Sequence, residues 1–176
     1  MMTKSLSLDP NPEIWIKKVK ISLILPAGLK ISIEEQKPKY ILVEKNIFKL
    51  LNSDGKLITK VEKVKEKYKR LLFLSGKRAS EKIKELSFIL SGSPKLAKRI
   101  TGAKLISDRR WALVYMSNIE IELPEKNAKE IFSKIEEIHE KYGLLSNRLK
   151  KIDLRIKDRM IIKLKMNEVV IKESKI

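Results

Sequence analysis

The amino-acid sequence predicts an α+β protein: a β-rich first unit, a charged link, and a second unit of antiparallel strands with packed helices. Three observations carry this reading. Apolar and polar residues alternate over 19–23, 29–34 and 119–123, the period of two that a half-buried strand requires. Residues 127–142 instead place Ala128, Ile131, Phe132, Ile135, Ile138 and Tyr142 on one helical stripe. Strand and helix patterns are segregated along the chain, as in an α+β layout, rather than alternating regularly.

The elements follow in order. Residues 1–12 are polar and carry Pro10 and Pro12, and 13–18 read as the end of a short helix holding Ile14 and Trp15. Val19, Ile21 and Leu23 form one face of a strand, Pro26-Ala27-Gly28 turns, and Leu29, Ile31 and Ile33 return until Lys37-Pro38. Residues 40–43 and 47–51 pair about Glu44-Lys45-Asn46, and Asp54-Gly55 marks a further turn. The run KVEKVKEKYK at 60–69 has no clear apolar face and reads as a connector. The expected organisation is a first unit at 1–59, a connector at 60–70, a second unit at 71–170 and a tail at 171–176.

In the second unit, 71–74 is a short buried strand and 80–90 has helical spacing through Ile83, Leu86, Ile89 and Leu90. Ser91-Gly92 interrupts that helix. Ser93-Pro94 starts another, with serine as N-cap and proline at the first helical position. Strands follow at 104–107 and 111–116, the second with Trp111, Leu113 and Tyr115 on one face. Ser117-Asn118 turns into a strand carrying Ile119, Ile121 and Leu123. Asn127 with Glu130 matches a capping box for the long helix, and Gly143 stands where its C-cap belongs. Ile152, Leu154 and Ile156 alternate, Lys157-Asp158 turns, 160–165 returns, and 169–171 adds strand residues.

Chemistry is harder to find. Lys and Arg number 40 against 22 acids in 176 residues, a net charge of +18. A polyanionic partner is one reading. The even spread of lysines and the few aromatics favour the other, a solvated basic surface, and make nucleic acid an unlikely partner. There is no cysteine, hence no thiolate nucleophile and no cysteine metal site. His139 is the only histidine and falls off the apolar stripe of its helix, at a surface position. Ser75-Gly76-Lys77 lacks the other phosphate-loop residues, since Leu71 stands at the first glycine and Arg78 follows the lysine. Glu136, Glu137 and Glu140 read as solvated helix charges, and no metal or cofactor site is expected. A binding protein, not an enzyme, is the expectation.

One segment has interaction logic. The strand at 160–165 is the last clear one, and a terminal strand often lies at a sheet edge, open to a partner's backbone. Lys157, Arg159, Lys163 and Lys165 make it basic. Those charges suit either an acidic partner or the blunting of an edge against aggregation. No apolar stretch approaches the about 20 residues that span a bilayer, and no signal peptide is visible, which by itself predicts a soluble cytoplasmic chain.

Several segments in order resemble the FtsQ/DivIB family of bacterial cell-division proteins. Arg109-Arg110, Trp111-Ala112-Leu113, the hairpin into 119–123, the long helix, Ile152-Asp153-Leu154-Arg155 and Asp158-Arg159 are similar to the family's C-terminal β domain. Trp15-Ile16-Lys17-Lys18-Val19, Leu25-Pro26-Ala27-Gly28-Leu29 and Ile31–Glu35 with Lys37-Pro38 are similar to the end of its POTRA domain, and 51–58 matches loosely. The resemblance implies a partial POTRA-like unit followed by an FtsQ-type β domain. It implies a non-enzymatic scaffold, anchored in the inner membrane and facing the periplasm at the septum, that binds FtsB and FtsL and helps regulate septal wall synthesis. In relatives a strand of FtsB adds to the last strand of the β domain. By position, the partner site here comprises Arg155, Ile156, Arg159, Met160, Ile162 and Leu164, with Arg109 or Arg110 as nearby charge contacts. Two departures stand out. The transmembrane helix and the first strand and helix of the POTRA unit have no counterpart in this sequence, and Ile156 replaces a frequent tyrosine.

Overall fold

The structure is a computed structural model that describes residues 15–24, 28–116, 119–146 and 148–165. It divides into two compact units, Met1–Ile83 and Lys84–Ile176.

The first unit opens with a hairpin of β1 (Ile16–Ile24) and β2 (Gly28–Glu35). Val19↔Ile33, Ile21↔Ile31 and Leu23↔Leu29 are cross-strand pairs, so all six aliphatic side chains share one face, while Lys20↔Ser32 and Ser22↔Lys30 share the other. The six are 47–73% exposed. Of the helix end expected at 13–18, residues 13–14 lie outside the described residues, Trp15 is in a 3-10 conformation, and 16–18 are strand instead. Gln36 donates its amide to the Trp15 carbonyl at 2.7 Å, so the backbone here is satisfied across the hairpin. A helix of so few residues could not have satisfied it alone.

β3 (Tyr40–Glu44), β4 (Ile47–Leu51) and β5 (Leu57–Val61) form an antiparallel meander, and β6 (Leu72–Ser75) pairs with β3 in parallel. Ile41, Leu50 and Ile58 are wholly buried at its core. The expected connector is thereby corrected. Its first residues belong to β5, a 3-10 turn occupies Glu66–Tyr68, and the β3–β6 pairing puts residues from both sides of 60–70 in one sheet. Val61, Val64 and Tyr68 pack on the core cluster at i, i+3 and i+7, a helical spacing, yet they stand at the end of a strand, in a loop and in a 3-10 turn, so periodicity alone does not reveal the run. At the β4–β5 turn, Asn52 Oδ1 accepts the amides of Asp54 and Lys56, each at 3.0 Å. Gly55 there has φ +82.

The second unit contains α1 (Ile83–Leu90), which begins at the unit boundary, then α2 (Pro94–Ala97), β7 (Ile100–Ile106), β8 (Arg110–Tyr115), β9 (Ile119–Glu122), α3 (Ala128–Tyr142), β10 (Leu149–Asp153) and β11 (Ile161–Leu164). β7, β8 and β9 are successive antiparallel neighbours; β9 and β10 are parallel; β10 and β11 are antiparallel. The α+β class holds, with parallel pairs among the antiparallel ones. The β9–β10 connection spans the sheet's length and needs a crossover of a dozen or more residues, which α3 provides. Leu113, Ile121, Ile152 and Phe132 are fully buried.

Ser93 caps α2 as expected, accepting the Leu96 amide at 3.2 Å, and its hydroxyl donates to Glu136 on α3 at 2.5 Å. Gly143 has φ +65 and donates its amide to the His139 carbonyl at 2.8 Å, closing α3. The capping box does not form. Asn127 has φ +57 and its side chain makes no cap bond, because a capping side chain reaches the first amides from extended backbone. Tyr142 is 70% exposed rather than part of the buried stripe. His139 is half-buried, and its Nδ1 accepts the Leu145 amide at 3.2 Å, a structural role beyond a plain surface position. The expected turn at 117–118 and the strand at 169–171 lie outside the described residues.

Candidate functional site

The site grows from one backbone edge. Among the described residues β11 pairs with β10 alone, in the register Lys151↔Lys163, Ile152↔Ile162, Asp153↔Ile161. Lys165 donates its amide inward to Arg148 at 2.8 Å. Amides alternate sides along an antiparallel strand. Those of Lys163 and Ile161 therefore point inward, and those of Ile162 and Leu164 point away from the sheet. All four residues of β11 are exposed, Ile162 by 46% and Leu164 by 59%.

Beside this edge lies a charge cluster. Glu122, on β9, is only 7% exposed. Lys151 forms a short hydrogen bond to its Oε1, and Lys151 also approaches Glu120 at 3.6 Å. Arg155 Nε stands 2.9 Å from Glu122 Oε2, at ion-pair distance rather than in hydrogen-bond geometry, and Arg110 Nη2 is 4.0 Å away. Arg155 grips Asp153 with Nε at 2.8 Å and Nη2 at 2.6 Å. Of the residues expected from sequence, Arg110 and Arg155 are thus joined through Glu122. Arg109 instead faces Glu125 at 3.8 Å. Ile156 and Arg159 are exposed on the β10–β11 link and Met160 is half-buried. Ile156 and Met160, with Leu154, face Ile131, Ile135 and Ile138 of α3 across an open groove of about 820 Å³.

Sequence reasoning missed Glu122, Lys151 and Asp153 as a set. The available signal was an acid between Ile121 and Leu123 and another after Ile152, each flanked by core residues. Only the pairing of β9 with β10 shows that they meet.

The hydrogen bonds from the Arg155 side chain, aided by its backbone amide, hold the Asp153 carboxyl below its ordinary range, and the bond to Glu122 raises the Lys151 ammonium above its own. A carboxyl depressed in the folded state contributes stability above its unfolded value of about 3.9, and that contribution is lost as pH falls through the lower folded value. Asp153→Asn is therefore expected to be less stable than the parent at pH 7. The gap should close in urea melts taken progressively below about pH 4, where the parent's carboxyl is protonated too. A gap independent of pH would remove the ion pair as its cause.

Among the described residues no group of three His, Asp or Glu side chains could hold a metal ion. No helix among them is long and apolar enough to cross a membrane.

The family described as cell division protein FtsQ/DivIB, C-terminal, matches residues 40–155. The chain is similar to cell division protein FtsQ of Rickettsia bellii (strain RML369-C), 30% identical over 148 residues, covering 84% of this chain and 54% of that one. It is similar as well to FtsQ of Novosphingobium aromaticivorans, 26% identical over 155 residues, covering 85% and 47% respectively. The chain thus spans about half the length of these curated relatives. A solved structure of the major extracytoplasmic domain of DivIB from Geobacillus stearothermophilus aligns with a TM-score of 0.43 and 12% identity, covering 65% of this chain and 99% of that one.

Proposed function

The chain belongs to the FtsQ/DivIB family of cell-division proteins, and on that premise we propose that it is a non-enzymatic scaffold that binds division partners by strand addition along β11. One observation carries the reading: among the described residues β11 is the last strand of its sheet, with the amides of Ile162 and Leu164 turned outward and its aliphatic side chains exposed. Such an edge offers main-chain hydrogen bonds for affinity and alternate side chains for specificity. FtsB and FtsL are the partners this reading names. Ile156, Arg159 and Met160 sit on the link leading into the edge, and Arg155 with Arg110 forms a charged flank beside it. Arg109, facing Glu125, is the outer charge contact. The hairpin β1–β2 is the closing part of a POTRA-like unit, and the β domain that carries β11 follows it in the chain. The protein works at the septum on the periplasmic face of the inner membrane, where it helps regulate wall synthesis.

Amide hydrogen exchange tests the mode of binding. In the free chain the amides of Ile162 and Leu164 should exchange fast while that of Lys163, paired inward, is protected. A saturating peptide of the FtsB strand from the same organism should slow both outward amides. Peptide binding that leaves them fast would refute strand addition here.

A further inference from the structure

The sheet register specifies more than an open edge. Residues directly opposite one another across a sheet share a face, so each row can be followed from strand to strand. One row runs Leu113, Ile121, Ile152, Ile162. Its first three members are 0% exposed and its last is 46% exposed. The core face thus continues onto β11 and stops there uncovered. The next row, on the opposite face, runs Val114, Glu120, Lys151, Lys163. Lys151 is answered by Glu120 at 3.6 Å and by Glu122. Among the described residues no carboxylate answers Lys163, which stands directly opposite another lysine, an unfavourable pairing. The third row runs Ala112, Glu122, Asp153, Ile161, and there Arg155 already satisfies Asp153.

From these rows we infer that the strand added to β11 carries a carboxylate opposite Lys163 and bulky apolar side chains opposite Ile162 and Leu164. The inference rests on the reading of β11 as the docking edge and adds the chemistry of what docks. An apolar residue beside Ile162 extends a row that is dry over three strands. An acid beside Lys163 supplies the charge that β9 supplies to Lys151. The partner strand is therefore an acidic–apolar alternation. A strand of the same apolar content with lysine on the outer face would place three cations side by side.

Two short peptides test this, Thr-Ile-Glu-Val-Glu-Ile-Thr and its counterpart with lysine for glutamate, titrated against the full chain by fluorescence anisotropy. The glutamate peptide is expected to bind the parent about fivefold more tightly or better, the effect of one cross-strand charge pair at the upper end of its range. Lys163→Glu should reverse the order. Serine in place of the isoleucines should weaken binding about tenfold or more. Equal binding of both peptides, abolished in each case by Ile162→Pro, would overturn the chemical pattern while leaving strand addition intact. A glutamate preference unchanged in Lys163→Glu would also overturn it, tracing the preference to the chain's overall positive charge. Failure of both peptides to bind, or binding indifferent to Ile162→Pro, would sink the pattern and strand addition together.

Discussion

Ile162→Pro should lose partner binding by on the order of a hundredfold while leaving the fold nearly as stable as the parent's. Proline removes one outward amide, leaves an acceptor on the incoming strand without a donor, and puts a ring where that strand must approach. The unmade bond alone costs about 1–3 kcal/mol, and each 1.4 kcal/mol is tenfold in affinity. The fold tolerates the change because an edge strand accepts proline where the lost amide faces away from the sheet. Two controls separate backbone from side chain. Ile162→Ala keeps the amide and should lose only the part of affinity that the half-exposed side chain contributes. Lys163→Pro removes an inward amide from the β10–β11 ladder, so it should lower stability as well as binding. Isothermal titration with the FtsB peptide and a urea melt of each variant would distinguish these outcomes. A proline variant that binds like the alanine variant would mean that the backbone edge is not the contact.

Gly55→Ala should cost about 3 kcal/mol or more of stability, combining left-handed strain with overpacking. Gly55 has φ +82, where a side chain is disfavoured. A methyl group there would lie 2.3 Å from the Ser80 carbonyl oxygen and 3.0 Å from Ile83 Cδ1. The first neighbour is backbone and cannot rotate aside. The turn itself is also fixed, by the Asn52 side chain and by the Gly55 amide donating to the Asn52 carbonyl at 3.1 Å. With a urea dependence of about 1–3 kcal/mol per molar, the midpoint should fall by roughly 1–3 M. A fall of less than about 0.5 M would show that the β4–β5 turn shifts away from Ser80 at little cost.

The missed and the legible elements differ in a consistent way. Ser93-Pro94 and Gly143 worked as local signals because a cap is satisfied within one turn of helix. The strands at 19–24 and 119–122 were readable because alternation is written along the chain itself. Asn127 failed because its left-handed backbone set the start of α3 without using its side chain. Residues 57–61 were not read as a strand because only Ile58 among them is buried and their strand character comes from pairing with β4.

Most segment types, the caps at Ser93 and Gly143 and the family resemblance followed from the order of residues, because each depends on neighbours within a few positions or on motifs in sequence. Strand order did not. That β3 pairs with β6, that β10 lies beside β9, that Glu122 gathers Arg110, Lys151 and Arg155, and that Lys163 stands opposite Lys151 are contacts between residues far apart in the chain. Such contacts are chosen by which buried rows complete one another across a sheet. Sequence could nominate the final strand as an edge; the register alone says which amides and side chains it offers.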